Sequence, residues 1–279
     1  MVTDAARWAT LPNGFPGGTE FMNRILRGLC LLGLLAATPA AAQAPSPGLD
    51  AILARGVLRV GLTGDYKPFS FRDPASGSIS GLDVDMAQSL ADGMGVKLEI
   101  VPTAWGSLMP DLLGGKFDIA MGGVTITLGR LKTAYFSAPV MRAGKTPIAR
   151  CADRDKYQTL AQIDEPGVTV ITNPGGTNES YDRANLHQAK IVVFPDNATI
   201  FDQLAQGHAD LMITDNVETE LQQKLHPGLC AIHPDAPFTT AELGYMLPRD
   251  VALKFFVDAW LHALDASGAH AKLEQKWLQ

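Results

Sequence analysis

Few of the features that would place this chain at once are present in it. Of 279 residues only three are cysteine and six are histidine. The histidines are scattered, and His226, Cys230 and His233 make an incomplete set, so no metal ligand group emerges. No Gly-x-Ser-x-Gly nucleophile elbow occurs. The glycine-rich stretch "TNPGGTNES" (172–180) lacks the trailing Gly-Lys-Ser/Thr of a nucleotide P-loop. No cofactor and no metal are therefore expected. Basic residues are in deficit, with 23 Lys and Arg against 29 Asp and Glu and a formal charge of −6. No basic stripe offsets that balance, which argues against a nucleic-acid partner. Long apolar runs are missing too: the stretch from Leu29 to Ala37 is too short to span a bilayer.

That run belongs to an N-terminal export signal. "MNRILRGLCLLGLLAATPAAAQA", Met22 to Ala44, carries Arg24 and Arg27, then the apolar run, then small residues. This is the order of a secretory signal peptide, with cleavage expected after Ala42 or Ala44. Cys30 follows Leu29 rather than a small residue and is not read as a lipidation site. Residues 1–21 are read as an extension upstream of the start, and 22–42 as the signal peptide. The protein is thus expected in the periplasm, without stable membrane association. Two cysteines remain, Cys151 and Cys230. An even pair in an exported chain suggests a disulfide; two buried thiols are the alternative. Oligomeric state is unreadable, and a homo-oligomer stays open.

From residue 56 onward, strand and helix patterns alternate. "GVLRVGLT" (56–63) reads as a strand. "GLDVDMAQSLADGMG" (81–95) reads as a helix, with Leu82, Met86, Leu90 and Met94 on one face, Asp83 as a candidate cap and Gly95 as a stop. "KLEIVPT" and the buried "FDIAMGGV" (117–124) follow as strands. The alternation resumes with "VTVITN" (168–173), a helix after Gly176, "IVVF" (191–194) and a helix through Phe201 and Leu204. Such alternation predicts an α/β protein with parallel sheets covered on both faces. "LLGGKFDIAMGG" (112–123) and "LAQGHADLMITD" (204–215) echo one another: Leu112, Gly115 and Asp118 match Leu204, Gly207 and Asp210. The echo is either a common helix-to-strand joint or the mark of two similarly built lobes. Ligands of such sheets sit beyond the carboxyl ends of strands, which selects 122–130, 173–179 and 214–218.

Those segments hold the candidate site residues. In "GGVTITLGR" (122–130), Thr127 caps a helix and Arg130 falls in its first turn, where the helix dipole disfavours a cation. Arg130 is either an anion clamp or an exposed arginine paired with an acid. The "NPGGTNE" turn can bind a small anion on backbone N–H groups, or can be a plain turn with Thr177 as N-cap. Tyr66, Phe69 and Trp105 are either walls for a small ring or core. Lys145 is either solvated or a second anion clamp. "LMITDNVETE" (211–220) places Asp215 and Glu218 three apart, on one face of a helix.

Together these residues resemble the type II periplasmic solute-binding proteins, in particular the polar amino-acid binders, from about Leu49 onward. The resemblance implies two α/β lobes with a ligand cleft between them. It assigns 43–141 and 241–279 to lobe one and 142–240 to lobe two, with crossovers near 142–147 and 235–241. It also implies that Arg130 holds a ligand carboxylate and that Asp215 receives an ammonium group. The chain departs from ordinary binders at Glu218, at the roomier Gly175-Gly176-Thr177 turn, and in the added charges Lys67 and Lys145. With "TGDYKPFSF", "NPGGTNE", "DNATIF" and "LHPGLCAIHP", these departures resemble the cyclohexadienyl dehydratases, enzymes on the same fold. The substrates implied are prephenate and L-arogenate. Glu218 would be the general acid, Lys145 would orient the ring carboxylate, and Thr125, Asn173, Gly176, Thr177 and Asn178 would bind substrate with Arg130 and Asp215. Tyr66 and Trp105 would wall the ring. The competing expectation is a non-catalytic amino-acid-binding protein of a membrane transporter.

Overall fold

The strand Val57–Leu62 buries Leu58, Val60 and Leu62 fully and forms the middle of the first sheet. A computed structural model describes this strand and the rest of residues 46–278; the expected extension and signal peptide lie outside the described residues. Lys97–Pro102 and Ile119–Ala120 flank the strand in parallel, and Met246–Leu247 then joins antiparallel, followed by Tyr135–Phe136. The helix Leu82–Met94 covers one face with Leu82, Met86, Leu90 and Met94, the spacing read from sequence. It stops at Gly95, whose φ of 68° lets its N–H reach back to the Ala91 and Asp92 carbonyls. Helices Val251–Ser267 and Ala269–Leu278 return to pack on it.

The second sheet repeats the plan with residues 145–231. Lys190–Val193, Thr169–Thr172 and Leu211–Asp215 run parallel, and Lys145–Arg150 adds antiparallel, with Leu229–Ala231 outside it. Both sheets are therefore mixed, where the sequence pattern predicted parallel ones. The antiparallel strands, Lys145–Arg150 and Met246–Leu247, lie where the chain passes between sheets, and they enter from the opposite end. Two neighbouring segments, Met141–Ala143 and Ala241–Leu243, pair antiparallel at that passage. Gly144 sits between the two strands it joins, and any side chain there would collide with the Thr239 carbonyl.

The echoed segments build the same joint in each sheet. The Asp118 N–H donates to the Arg59 carbonyl at 2.9 Å, and its carboxylate accepts from the Arg59 N–H at 2.8 Å. Asp210 does the same with Thr169, at 2.8 and 2.7 Å. Gly115 and Gly207 make the preceding turn at φ 69° and 80°. Cys151 and Cys230 form the expected disulfide across the second sheet.

Candidate active site

The carboxyl ends of both sheets' parallel strands face each other across a narrow cleft that leaves about 20 Å³ of free volume in this conformation. Tyr66, Trp105 and Thr125 line it from the first sheet's side. Asn173, Gly176, Thr177 and Asn178 line it from the second sheet's glycine-rich turn and the helix that follows, Thr177–Asn185. Asp215 and Glu218 close it. Nine residues singled out in the sequence thus meet in one wall, although they span more than 150 positions.

Asp215 ends the strand Leu211–Asp215 and takes the N-cap position of the helix Asn216–Leu225, yet its side chain makes no cap bond. One carboxylate oxygen instead accepts from Lys145 Nζ at 2.8 Å, and the other from Tyr66 OH at 2.9 Å. Lys145 is 5 % exposed and also donates to Asn178 Oδ1. It is therefore not the solvated or free cation of the sequence reading, and it is not among the residues lining the cavity. The backbone register explains the pairing, because Lys145 lies opposite Asp215 on the neighbouring antiparallel strand. Asn178 continues the network, with Nδ2 donating to Asn173 Oδ1 at 3.1 Å and to Thr214 Oγ1 at 3.0 Å.

Thr214 in turn donates to Glu218 Oε2 at 2.6 Å. Glu218 is 2 % exposed. Burial pushes its carboxyl up to about 8; the Thr214 hydrogen bond opposes that rise, and the nearby Asp215 adds to it. The N-terminal turn of a helix favours the ionised form by only about 0.3–1 kcal/mol, which is too little to offset removal from water. Glu218 is thus a carboxylic acid that keeps its proton at neutral pH, beside the Asp215–Lys145 salt bridge.

Arg130 keeps its place in the helix Leu128–Leu131, capped by Thr127. Its Nη1 donates to the Thr125 carbonyl at 2.6 Å, and among the described residues it has no carboxylate partner. It is not among the residues lining the cavity. The hydroxyls of Thr125 and Thr177 approach to 3.4 Å across the cleft. Trp105 donates from Nε1 to Asp65 at 3.1 Å and packs edge-on to Tyr66. Phe69 is core, fully buried behind Tyr66. Lys67 lies over the Phe71 ring, 3.9 Å from its centroid, and borders a separate opening.

Three readings change. The Gly175-Gly176 turn is close-packed rather than roomy: Gly175 has φ 78°, and a Cβ there would lie 2.6 Å from Gly106 Cα on the opposite side of the cleft. Thr177 is the first helical residue, preceded by Gly176 at the cap. Asp83 is no cap either. It is buried and accepts from the N–H groups of Gly122 and Gly123, both at 2.8 Å, and from Tyr245 OH at 2.9 Å. It thereby fixes the turn that presents Thr125. Burial raises its carboxyl to about 6. Asp182, one turn beyond Asn178 on the same helix, is buried, and burial lifts its carboxyl to about 7 against the opposing Thr172 hydroxyl. Sequence reasoning missed Gly123 and Asn197 in the cavity wall. The strand-end rule would have found Asn197, which follows the strand Lys190–Val193.

Residues 58–279 match the family of bacterial extracellular solute-binding proteins, family 3. A cyclohexadienyl dehydratase of Pseudomonas aeruginosa is 54% identical over 255 residues, covering 91% of this chain and 94% of that protein. The L-cystine-binding protein TcyJ of Escherichia coli is 28% identical over 90% of the chain and 94% of its own length. Among solved structures, an ancestral amino-acid-binding protein described as a precursor of cyclohexadienyl dehydratase is 39% identical with a TM-score of 0.77, over 83% of this chain and 99% of that one. An ancestral cyclohexadienyl dehydratase is 52% identical with a TM-score of 0.54, over 85% and 98%. With its two-sheet architecture and interposed cleft, the chain belongs to the bacterial extracellular solute-binding proteins, family 3.

Proposed function

We propose that the protein is a cyclohexadienyl dehydratase, a carbon–oxygen lyase of the periplasm acting on prephenate and L-arogenate. The observation that carries this reading is the buried, protonated Glu218 in the wall of a cavity otherwise equipped to hold an amino acid. The 54% identity to the Pseudomonas enzyme supports it.

In prephenate the bond to the ring carboxylate breaks and its electron pair moves through the ring. The carbon–oxygen bond opposite then breaks, and Glu218 supplies the proton that turns the departing hydroxyl into water. Carbon dioxide leaves, the ring becomes aromatic, and Glu218 is left as a carboxylate to be reprotonated from solvent. A positioned acid contributes roughly 10²–10⁴-fold. Arg130, with Thr125 and Thr177, holds the side-chain carboxylate, for which its unpaired planar fork is suited. Lys145 holds Asp215 and Asn178 in place and neutralises Asp215, so a keto acid does not face an isolated charge. Lys145 does not line the cavity, so its effect on the ring carboxylate runs through Asp215 and Asn178. Tyr66 and Trp105 wall the ring and keep water out. The segments 141–143 and 241–243 act as the hinge between lobes.

The test is to incubate purified protein with prephenate at neutral pH and follow phenylpyruvate. Many equivalents per protein molecule are expected. No turnover, with an amino acid raising the melting temperature instead, would make it a transport receptor.

A further inference from the structure

Asn197 opens the short 3-10 turn Asn197–Thr199 on the second-sheet side and is 7 % exposed. It borders two spaces: the cavity described above and a wider opening lined by Asp65, Lys67, Gln222 and His226. Its Nδ2 crosses the cleft and donates to the Asp65 backbone carbonyl at 3.0 Å. That partner can only accept, so it fixes which way the amide faces. Oδ1 is then the atom left over, and it is buried with no hydrogen-bond partner among the described residues. Such an acceptor costs about 1–3 kcal/mol, and nothing in the surrounding fold makes use of it. Among the described residues of the wall no other side-chain atom is fully buried without a partner: Asp215 is held by Lys145 and Tyr66, Asn173 Oδ1 by Asn178, and Glu218 Oε2 by Thr214.

From this we infer that Asn197 is a substrate-contacting residue whose Oδ1 accepts the hydrogen bond of the substrate's departing ring hydroxyl. The inference rests on the dehydratase reading above. Prephenate at neutral pH has two carboxylates and a ketone, all acceptors, and its one O–H donor is that hydroxyl. An orphan acceptor in this wall therefore matches a single group of prephenate, and in L-arogenate the one donor that Asp215 does not receive. Its location agrees. Asp65, whose carbonyl Asn197 grips, lies close enough to Glu218 for its charge to act on that carboxyl, which puts Asn197 at the Glu218 end of the cavity. With its hydrogen held by Asn197, the hydroxyl presents a lone pair to the Glu218 proton. As that proton transfers, the oxygen becomes oxonium-like and its remaining O–H a stronger donor. The bond to Oδ1 thus strengthens in the transition state, which is the condition for raising kcat. Because the same amide grips the opposite side of the cleft, closure and alignment of the acceptor are one event.

The experiment compares wild type, Asn197→Ala and Asn197→Ser for prephenate turnover, and for inhibition by phenylpyruvate, which lacks the hydroxyl. Wild-type turnover separately tests the dehydratase reading. With wild type active, Asn197→Ala is expected to lower kcat by about 10–100-fold, to change KM less than about threefold, and to leave the phenylpyruvate inhibition constant within about twofold. Asn197→Ser, which keeps a small hydroxyl acceptor, is expected to fall between. Equal weakening of prephenate and phenylpyruvate would reduce Asn197 to a latch and overturn the contact. Unchanged kcat in Asn197→Ala would overturn it too, and would leave the dehydratase reading standing.

Discussion

Replacing Glu218 with glutamine separates the chemistry of this site from its binding, and it has a second, purely thermodynamic signature. Glutamine keeps the shape and an oxygen to accept from Thr214 Oγ1, which lies 2.6 Å from Glu218, but has no acidic proton. Turnover should fall by about 10²–10⁴-fold while phenylpyruvate binding persists. The stability effect follows from the rise of the carboxyl from 4.5 to about 8. At 1.36 kcal/mol per pH unit, that rise corresponds to on the order of 5 kcal/mol favouring the protonated form in the folded protein. The folded state therefore binds more protons than the unfolded chain between about pH 4.5 and 8, and stability falls as pH rises through that window. The glutamine variant lacks this loss. Its melting temperature should match wild type near pH 4.5 and exceed it increasingly up to pH 9, by as much as about 10 °C for a chain of this size. Scanning calorimetry of both proteins across pH 4.5–9 measures this directly. A difference in melting temperature that does not change with pH, or a variant keeping more than about a tenth of wild-type kcat, would refute the reasoning.

Other perturbations reach different parts of the site. Breaking the Cys151–Cys230 disulfide, 79 residues apart in sequence, should cost about 4 kcal/mol of stability by loop entropy; denaturant titration of the double alanine variant measures it, and kcat should be unchanged in the folded fraction. Gly175→Ala would bring a Cβ within 2.6 Å of Gly106 Cα at a φ of 78°. It should hinder cleft closure and raise KM more than it lowers the melting temperature. Arg130→Lys removes the planar fork and should raise KM for prephenate by about 10-fold or more, with the pH dependence of kcat unaltered.

Much of the architecture is legible in the chain because local rules decided it. Glycines at positive φ, caps such as Thr127, and the repeated Leu-Gly-Asp pattern act within a few residues, and the Asp118 and Asp210 joints turned out identical in their hydrogen bonds. The strand-end rule gathered most of the cavity wall for a similar reason, since strand order alone brings those ends together. What stayed hidden depends on partners distant in sequence. Lys145 reads as either a solvated lysine or an anion clamp until the antiparallel register places it against Asp215, 70 residues away. Asp83 has the position of a cap, but its partners at Gly122, Gly123 and Tyr245 claim it. Asn197 lies in the quoted "DNATIF" segment, but its importance appears only when its amide is seen to cross the cleft. The antiparallel members of both sheets were invisible because alternation reports strands and helices, not the end from which a returning strand enters.

The central claim is that a buried, protonated Glu218 donates the proton that releases the hydroxyl. The pH dependence of kcat/KM for prephenate in the wild-type protein tests it most directly. The account predicts a plateau through neutral pH and a tenfold fall per pH unit beyond a break near 8, the value of Glu218 in the free protein. A kcat/KM that stays level to pH 10, or rises through that range, would contradict it.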